Sequence, residues 1–168
     1  GVGGGLVVPL AYLVNPGPEG TVVGMPSASF TYLNTLKGKD LTSFAVTQTF
    51  WRRIELGYAM NRFHLGNLPH AIWKASGGTL STSKGDLLLH HFNARGLLIE
   101  ENMFGDWCPS VVAGLQIKYN SGIRDMNDDL GGLPATLGFE KSNGIDYVLT
   151  VSKTIPSDAF GLPPIILT

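Results

Sequence analysis

The sequence predicts an all-β protein, an antiparallel meander that forms the open part of a transmembrane β-barrel. Apolar and polar residues alternate along several segments of strand length, and a period of two places successive side chains on opposite faces of a sheet. The mean hydropathy is high, at +0.14, although no apolar run approaches the ~18 residues of a membrane helix. The expected connections between strands also alternate between short and long, as they do in outer-membrane barrels.

The clearest alternation lies in residues 41–66, which we interpret as two strands joined by a tight turn at residues 51–53. One face of this hairpin carries large apolar side chains and the other carries small or polar ones, with Gln48 as an exception. A soluble hairpin packs its large residues on a core, whereas a membrane barrel turns them toward lipid. The large residues are Phe44, Val46, Phe50, Ile54, Leu56, Tyr58 and Met60, and the opposing set includes Thr47, Thr49, Glu55, Gly57, Ala59 and Asn61.

The composition excludes several classes of protein. The 12 basic and 13 acidic residues nearly cancel, so the chain has no basic surface typical of nucleic-acid binding. Charged residues make up 15% of the chain, against the ~25% that is usual in soluble domains. The single cysteine, Cys108, excludes an internal disulfide. We expect one domain over residues 1–168, a partial barrel truncated at both ends, from an exported protein.

The alternation predicts further strands along the chain, with one irregularity. Residues 66–85 and 121–143 are polar and lack periodicity, so we expect two long loops there. The alternation is blurred around His90 and His91, and a β-bulge at that point would restore the phase. Strands are expected at residues 6–14, 27–34, 41–50, 54–64, 87–99, 110–120 and 144–155, with a last strand beginning near residue 164.

Three segments resemble a known family. They read ASFTYLNTLKGKDLTSFAVTQTFWRRIELGYAMNRFHLG (residues 28–66), VAGLQIKYN (residues 112–120) and SNGIDYVLTVSKTI (residues 142–155). In this order they are similar to a proteobacterial family of uncharacterised proteins, several hundred residues long, which is catalogued as a domain of unknown function. The resemblance implies an outer-membrane β-barrel and brings no catalytic or binding residues with it.

One loop segment has the donor spacing of a calcium site. Asp125, Asn127 and Asp129 alternate as they do in an EF-hand loop. The glycine, however, is Gly131, one position late, and the twelfth position is Thr136 instead of a bidentate glutamate. We therefore favour a solvated acidic loop over a metal site.

The histidines offer a second candidate for metal binding or general-base catalysis. His90 and His91 are adjacent, so a regular strand points them to opposite faces and prevents them from sharing one ion. His64 lies within reach across a hairpin only if the register allows it. The serines lie in no catalytic motif, so a membrane-embedded hydrolase is the least favoured interpretation.

The small and polar faces of the strands provide the candidate functional surface. In a barrel they line the lumen, and their mixed charges predict weak ion selectivity at most. The function that we favour is a passive pore or structural barrel, in contact with outer-membrane lipid and small polar solutes, with no catalysis, cofactor, metal or nucleic acid. The alternative is a soluble all-β ligand-binding module. The predicted pore-lining residues are Glu55, Asn61, Gln116, Lys118 and Asp146.

Overall fold

The computed structural model describes residues 10–35, 38–139, 141–156 and 165–168, which form one seven-stranded antiparallel sheet. The strands follow one another in chain order, and the sheet curls into a half-barrel. The predicted all-β antiparallel meander is therefore confirmed. The strands are β1 (Ser27–Thr35), β2 (Lys39–Phe50), β3 (Ile54–His64), β4 (Asp86–Ile99), β5 (Ser110–Ser121), β6 (Asn143–Ile155) and β7 (Ile165–Leu167).

Three short helices lie in the two long connections. They are α1 (Leu68–Ala75), which follows β3, and α2 (Ile123–Asp129) and α3 (Leu133–Thr136), which follow β5. None of the helices in the described part of the chain is long and apolar enough to cross a membrane. The sequence predicted both connections as loops, and their helical content was missed.

The two faces of the sheet differ in the way that the alternation predicts. The outer face carries large apolar side chains that remain exposed: Leu56 is 47% exposed, Leu149 is 69% exposed, and Leu115 is partly exposed. The inner face carries mainly small and polar side chains, and these are the more buried set. Buried members of the inner face are Ala45, Thr47, Thr49, Glu55, Ala59, Asn93, Arg95, Ser110, Val112, Thr150 and Ser152.

Two predictions about the strands are wrong. Of the predicted strand at residues 6–14, residues 6–9 lie outside the described residues, and residues 10–14 are not a strand. The predicted bulge at His90 and His91 is absent, because β4 pairs in unbroken register with both neighbours there. The register shifts instead between Leu97 and Ile99. The alternation looked blurred because apolar Leu87 and Leu89 share the inner face with polar residues further along β4.

The connection between β2 and β3 is a tight turn, as predicted. Trp51 and Arg52 both have positive φ angles, of 47° and 58°, and the N–H of Arg53 donates to the carbonyl of Phe50 at 3.0 Å. Two successive residues with positive φ suit the right-handed twist of a β-hairpin. Residues other than glycine rarely adopt this backbone conformation. We call the end of the sheet that carries this turn and residues 100–109 the short-turn end, and the opposite end the long-loop end.

The two long connections pack against each other and form a cap at the long-loop end. Its apolar core joins Leu65, at the end of β3, to Met126 and Leu130 of the second connection. Lys84 pairs with Asp125 at 2.6 Å, and this hydrogen bond lowers the pKa of the Asp125 carboxyl. Further apolar side chains that contact the core are Ile72, Leu80 and Leu87.

Gly57 on β3 lies directly beneath the side chain of Asn93 on β4. A Cβ at Gly57 would overlap the Asn93 amide. That amide is buried, and it has no hydrogen-bond partner in the part of the chain that the structure describes. A side chain at position 57 would therefore displace the buried Asn93 amide.

We expect Gly57→Ala to lower the free energy of unfolding by about 1–3 kcal/mol, because the new methyl group overpacks the inner face. Gly144→Ala is the matched control: Gly144 also lies in a strand on the inner face, and a Cβ there meets nothing within 4 Å. The control should leave stability unchanged or raise it by up to ~1 kcal/mol. Urea unfolding of the purified protein measures both, and equal effects would contradict the packing argument.

Candidate functional site: a strap across the polar face

Residues 10–16, which we call the strap, cross the inner face at the short-turn end. They run from β6 and β5 over β4 to β3 and β2, and polar side chains of these strands hold them. Ala11 lies at the first contact and is 0% exposed. Its N–H donates to Ser152 Oγ on β6 at 2.9 Å, and its carbonyl accepts from Ser110 Oγ on β5 at 2.5 Å. Both main-chain groups of this buried residue are therefore satisfied by side chains of the sheet.

Val14 makes the equivalent contacts at the other side of the sheet. Its N–H donates to Glu55 Oε2 on β3 at 2.9 Å. Its carbonyl accepts from Thr49 Oγ1 on β2 at 2.5 Å. Thr49 and Glu55 are both fully buried, so these polar side chains have exchanged water for the main chain of the strap.

Arg95 on β4 occupies the centre of the site, between the two groups of contacts. Its guanidinium pairs with Glu55 at 3.3 Å, and the Arg95 and Glu55 side chains are 4% and 0% exposed. The same guanidinium donates to the carbonyls of Leu10 and Tyr12. A buried ion pair is tolerated only where additional hydrogen bonds satisfy both partners, and here the strap supplies them.

The Tyr12 side chain anchors the strap to the turn at residues 100–109. Its hydroxyl donates to Glu101 Oε2 at 2.7 Å and lies 2.8 Å from Thr154 Oγ1. Burial raises the pKa of Glu101, but hydrogen bonds from the Thr154 N–H, Tyr12 and Lys153 together outweigh it and leave the pKa below its ordinary value. Burial also raises the pKa of Tyr12. At neutral pH a charged carboxylate therefore accepts from a neutral phenol.

A cavity of about 300 Å³ lies beside the strap, between it and the two short turns. Arg52 borders this cavity, and its ion pairs with Glu19 and Glu100 are long, at 4.0 Å and 3.8 Å. Its Nε is buried, and within the described residues it has no hydrogen-bond partner.

The five residues predicted to line a pore all lie on the inner face, but they do not form one site. Glu55 lies beneath the strap. Asn61 contacts the Nε2 of His91 at 3.1 Å, nearer the long-loop end. Gln116 lies opposite Asp146 in the register of β5 and β6, and Lys118 forms an ion pair with Asp146.

The oxygen donors of the calcium-like segment do not converge. Asp125 pairs with Lys84, Asn127 accepts from the N–H of Ala135, and Asp129 accepts from Thr82. Because α2 is helical, donors two residues apart point in different directions. Over the ranges that the structure describes, no group of three or more His, Cys, Asp or Glu side chains is placed to hold a metal ion.

The histidines also lie apart. His90 is on the outer face, where its Nδ1 lies 2.8 Å from the Tyr58 hydroxyl, and His91 is on the inner face. The prediction that these neighbours point to opposite faces is confirmed. His64 pairs with Asp86 at 2.7 Å at the long-loop end.

The strap and most of the residues that hold it were not predicted from the sequence. Thr49 and Glu55 were assigned to the polar face, but Arg95, Ser110 and Ser152 were not recognised as partners of anything. Glu55 and Arg95 carry opposite charges and lie on facing positions of β3 and β4, where such charges attract. The long connection between these two strands leaves their register unspecified in the sequence, so this pair could not be predicted. Nothing in residues 10–16 themselves indicates where they bind.

The fold and the site define an antiparallel meander curled around a polar inner face, with its own upstream segment bound across one end. Over residues 1–166 the chain matches a family described as protein of unknown function (DUF3034), and it belongs to that family. Comparisons with curated proteins and with solved structures found no match.

We expect Glu55→Gln to lower the free energy of unfolding by about 3–5 kcal/mol, because it leaves the Arg95 charge buried without its partner. Lys118→Gln breaks an ion pair on the same face whose side chains are 39% and 48% exposed, and should cost less than about 1 kcal/mol. The double variant Glu55→Gln, Arg95→Gln should recover part of the loss. Denaturant unfolding compares the three proteins, and similar costs for the two single variants would refute the burial argument.

Proposed function

We propose that this chain is part of an outer-membrane β-barrel whose inner face lines a lumen for small polar solutes. The main support for this proposal is the inverted distribution of polarity. Large apolar side chains are exposed on the outer face, while charged and hydroxyl side chains are buried on the inner face. Lipid is the solvent that makes the outer face favourable. The proposed role is passive and involves no catalysis, cofactor or nucleic acid.

Strand length and the border of the apolar face support the membrane assignment. Strands β2 to β6 contain 11–14 residues, enough for the ~9–11 tilted residues that cross a bilayer. At the long-loop end the outer face changes to a charged row in which Asp40, His64 and Asp86 lie side by side, with Arg62 bonded to Asp86 at 3.0 Å. Such a row suits the polar boundary of a membrane.

The two outermost strands, β1 and β7, each have one edge without a partner strand in the described part of the chain. Within the described residues β1 pairs only with β2, and β7 pairs only with β6. Unpaired N–H and C=O groups are not tolerated in lipid, so the proposed barrel needs additional strands to close it. By analogy with bacterial barrels, the short-turn end with its strap faces the periplasm and the cap faces outward.

The competing interpretation is a soluble all-β module that binds a ligand on the polar face. It requires another apolar layer over the outer face, because exposed Phe30, Phe92 and Tyr147 lie there with Leu56 and Leu149. The described part of the chain supplies no such layer. A purely structural barrel differs from a pore only in whether solutes pass.

Leu149→Arg should impair folding into lipid vesicles by about 2–4 kcal/mol if residue 149 faces the bilayer near its midplane. Gln116→Arg adds the same side chain to the partly exposed inner face and should cost much less. The experiment uses the whole protein refolded into phosphatidylcholine vesicles with a urea titration. If Leu149→Arg is tolerated as well as Gln116→Arg, the outer face does not contact lipid.

Ala11→Arg should raise the permeability of vesicles that contain the protein. Ala11 is the strap residue that is fully buried against the sheet, so a long charged side chain at this position should displace the strap from the inner face. Pro18→Arg is the control, since Pro18 is exposed and lies beyond the strap. Swelling of vesicles in small sugars measures the rate, and equal rates for both variants and the wild type would contradict a lumen that the strap narrows.

A further inference from the structure

We propose that the surface beneath the strap, which we call the strap groove, is a peptide-binding site. It recognises an extended main chain in which a small residue is followed by tyrosine, and it accepts such a segment from another chain when the strap leaves. The inference rests on the geometry of the strap and holds whether or not the outer face contacts lipid.

The strap groove binds the main chain of the strap through hydrogen bonds from side chains of the sheet. Ser152 and Ser110 bond to the N–H and carbonyl of Ala11, and Glu55 and Thr49 bond to the N–H and carbonyl of Val14. Every peptide has these groups, so these contacts do not depend on the sequence that supplies them. This is the principle by which extended peptides are commonly bound, with pockets for particular side chains adding specificity.

Two positions add sequence preference. Ala11 is 0% exposed, so the groove excludes a larger side chain at that position. Tyr12 donates to Glu101 and contacts Thr154, which together form a specific receptor for a hydroxyl group. The preferred ligand is therefore an extended segment that carries a small residue and then tyrosine, as the strap itself does.

The strap is held in a way that allows exchange. Leu10, Leu13 and Val14 are all partly exposed already, so little additional apolar surface becomes exposed to water when the strap leaves the groove. Water replaces polar contacts more readily than it replaces apolar burial. Arg95 and Glu55 stay paired with each other when the strap is absent, so the groove keeps its charges balanced.

The chain after the strap is anchored independently. Trp51 N–H donates to the carbonyl of Val22 at 2.7 Å, and Gly24 N–H donates to the carbonyl of Thr49 at 2.8 Å. Between this anchor and the strap lie Gly17 and Gly20, both with positive φ. The strap can therefore leave the groove while its downstream end remains attached to the sheet.

The test uses the whole protein carrying Ala11→Arg, in detergent, with a fluorescent peptide of the sequence LAYLVNP (residues 10–16) as the probe. Fluorescence anisotropy should show saturable binding to this variant. Binding to the wild type and to the Pro18→Arg control should be at least about tenfold weaker, because their own straps occupy the groove. A peptide with phenylalanine in place of tyrosine should bind about tenfold more weakly, as expected for the loss of a hydrogen bond to a carboxylate.

A folding check and a groove variant complete the test. Circular dichroism and a cooperative urea unfolding transition establish that the Ala11→Arg protein is folded, and Tyr12→Ala replaces it as the open-groove variant if it is not. Adding Ser152→Ala to the open variant should weaken binding of the probe. Absence of saturable binding to a folded open variant, or equal binding of a scrambled peptide, overturns the proposal. Neither outcome bears on the Leu149→Arg experiment, which tests the membrane assignment separately.

Discussion

The ion pair between Glu55 and Arg95 is the interaction on which the inner face depends. The two residues lie opposite each other on β3 and β4, and both are almost fully buried. Two charges taken out of water are stabilised only if their remaining donors and acceptors are also satisfied. The carbonyls of Leu10 and Tyr12 and the N–H of Val14 satisfy them. The strap and the ion pair therefore stabilise each other.

This arrangement inverts the usual relation between core and surface. The most buried side chains of the sheet include Glu55, Thr49, Ser110 and Ser152, whereas the largest apolar side chains are exposed on the outer face. A polar interior of this kind is stable when hydrogen bonds are complete, and each missing partner is costly. The inner face meets this condition beneath the strap. It does not meet it at Asn93, whose amide has no partner in the described residues.

The sequence predicted those features that depend on neighbouring residues and missed those that depend on distant ones. Alternation along residues 41–66 identified β2, the turn and β3, because consecutive residues of a strand point to opposite faces of the sheet. The contact of Ala11 with Ser152 spans 141 positions, and no local pattern encodes it. The helices of the cap were missed for the same reason: Met126 and Leu130 pack on Leu65 of the other connection instead of completing an apolar stripe of their own.

The two ends of the inner face are covered by different physical means, and this difference assigns them different roles. The cap at the long-loop end is joined by an apolar core of Leu65, Met126 and Leu130, which water does not replace without loss. The strap at the short-turn end is joined mainly by hydrogen bonds to its main chain, which water does replace. Of the two covers, the strap is the one that opens at lower cost. For the pore and the peptide-binding site that we propose, we therefore expect entry to the polar face to be controlled at the short-turn end.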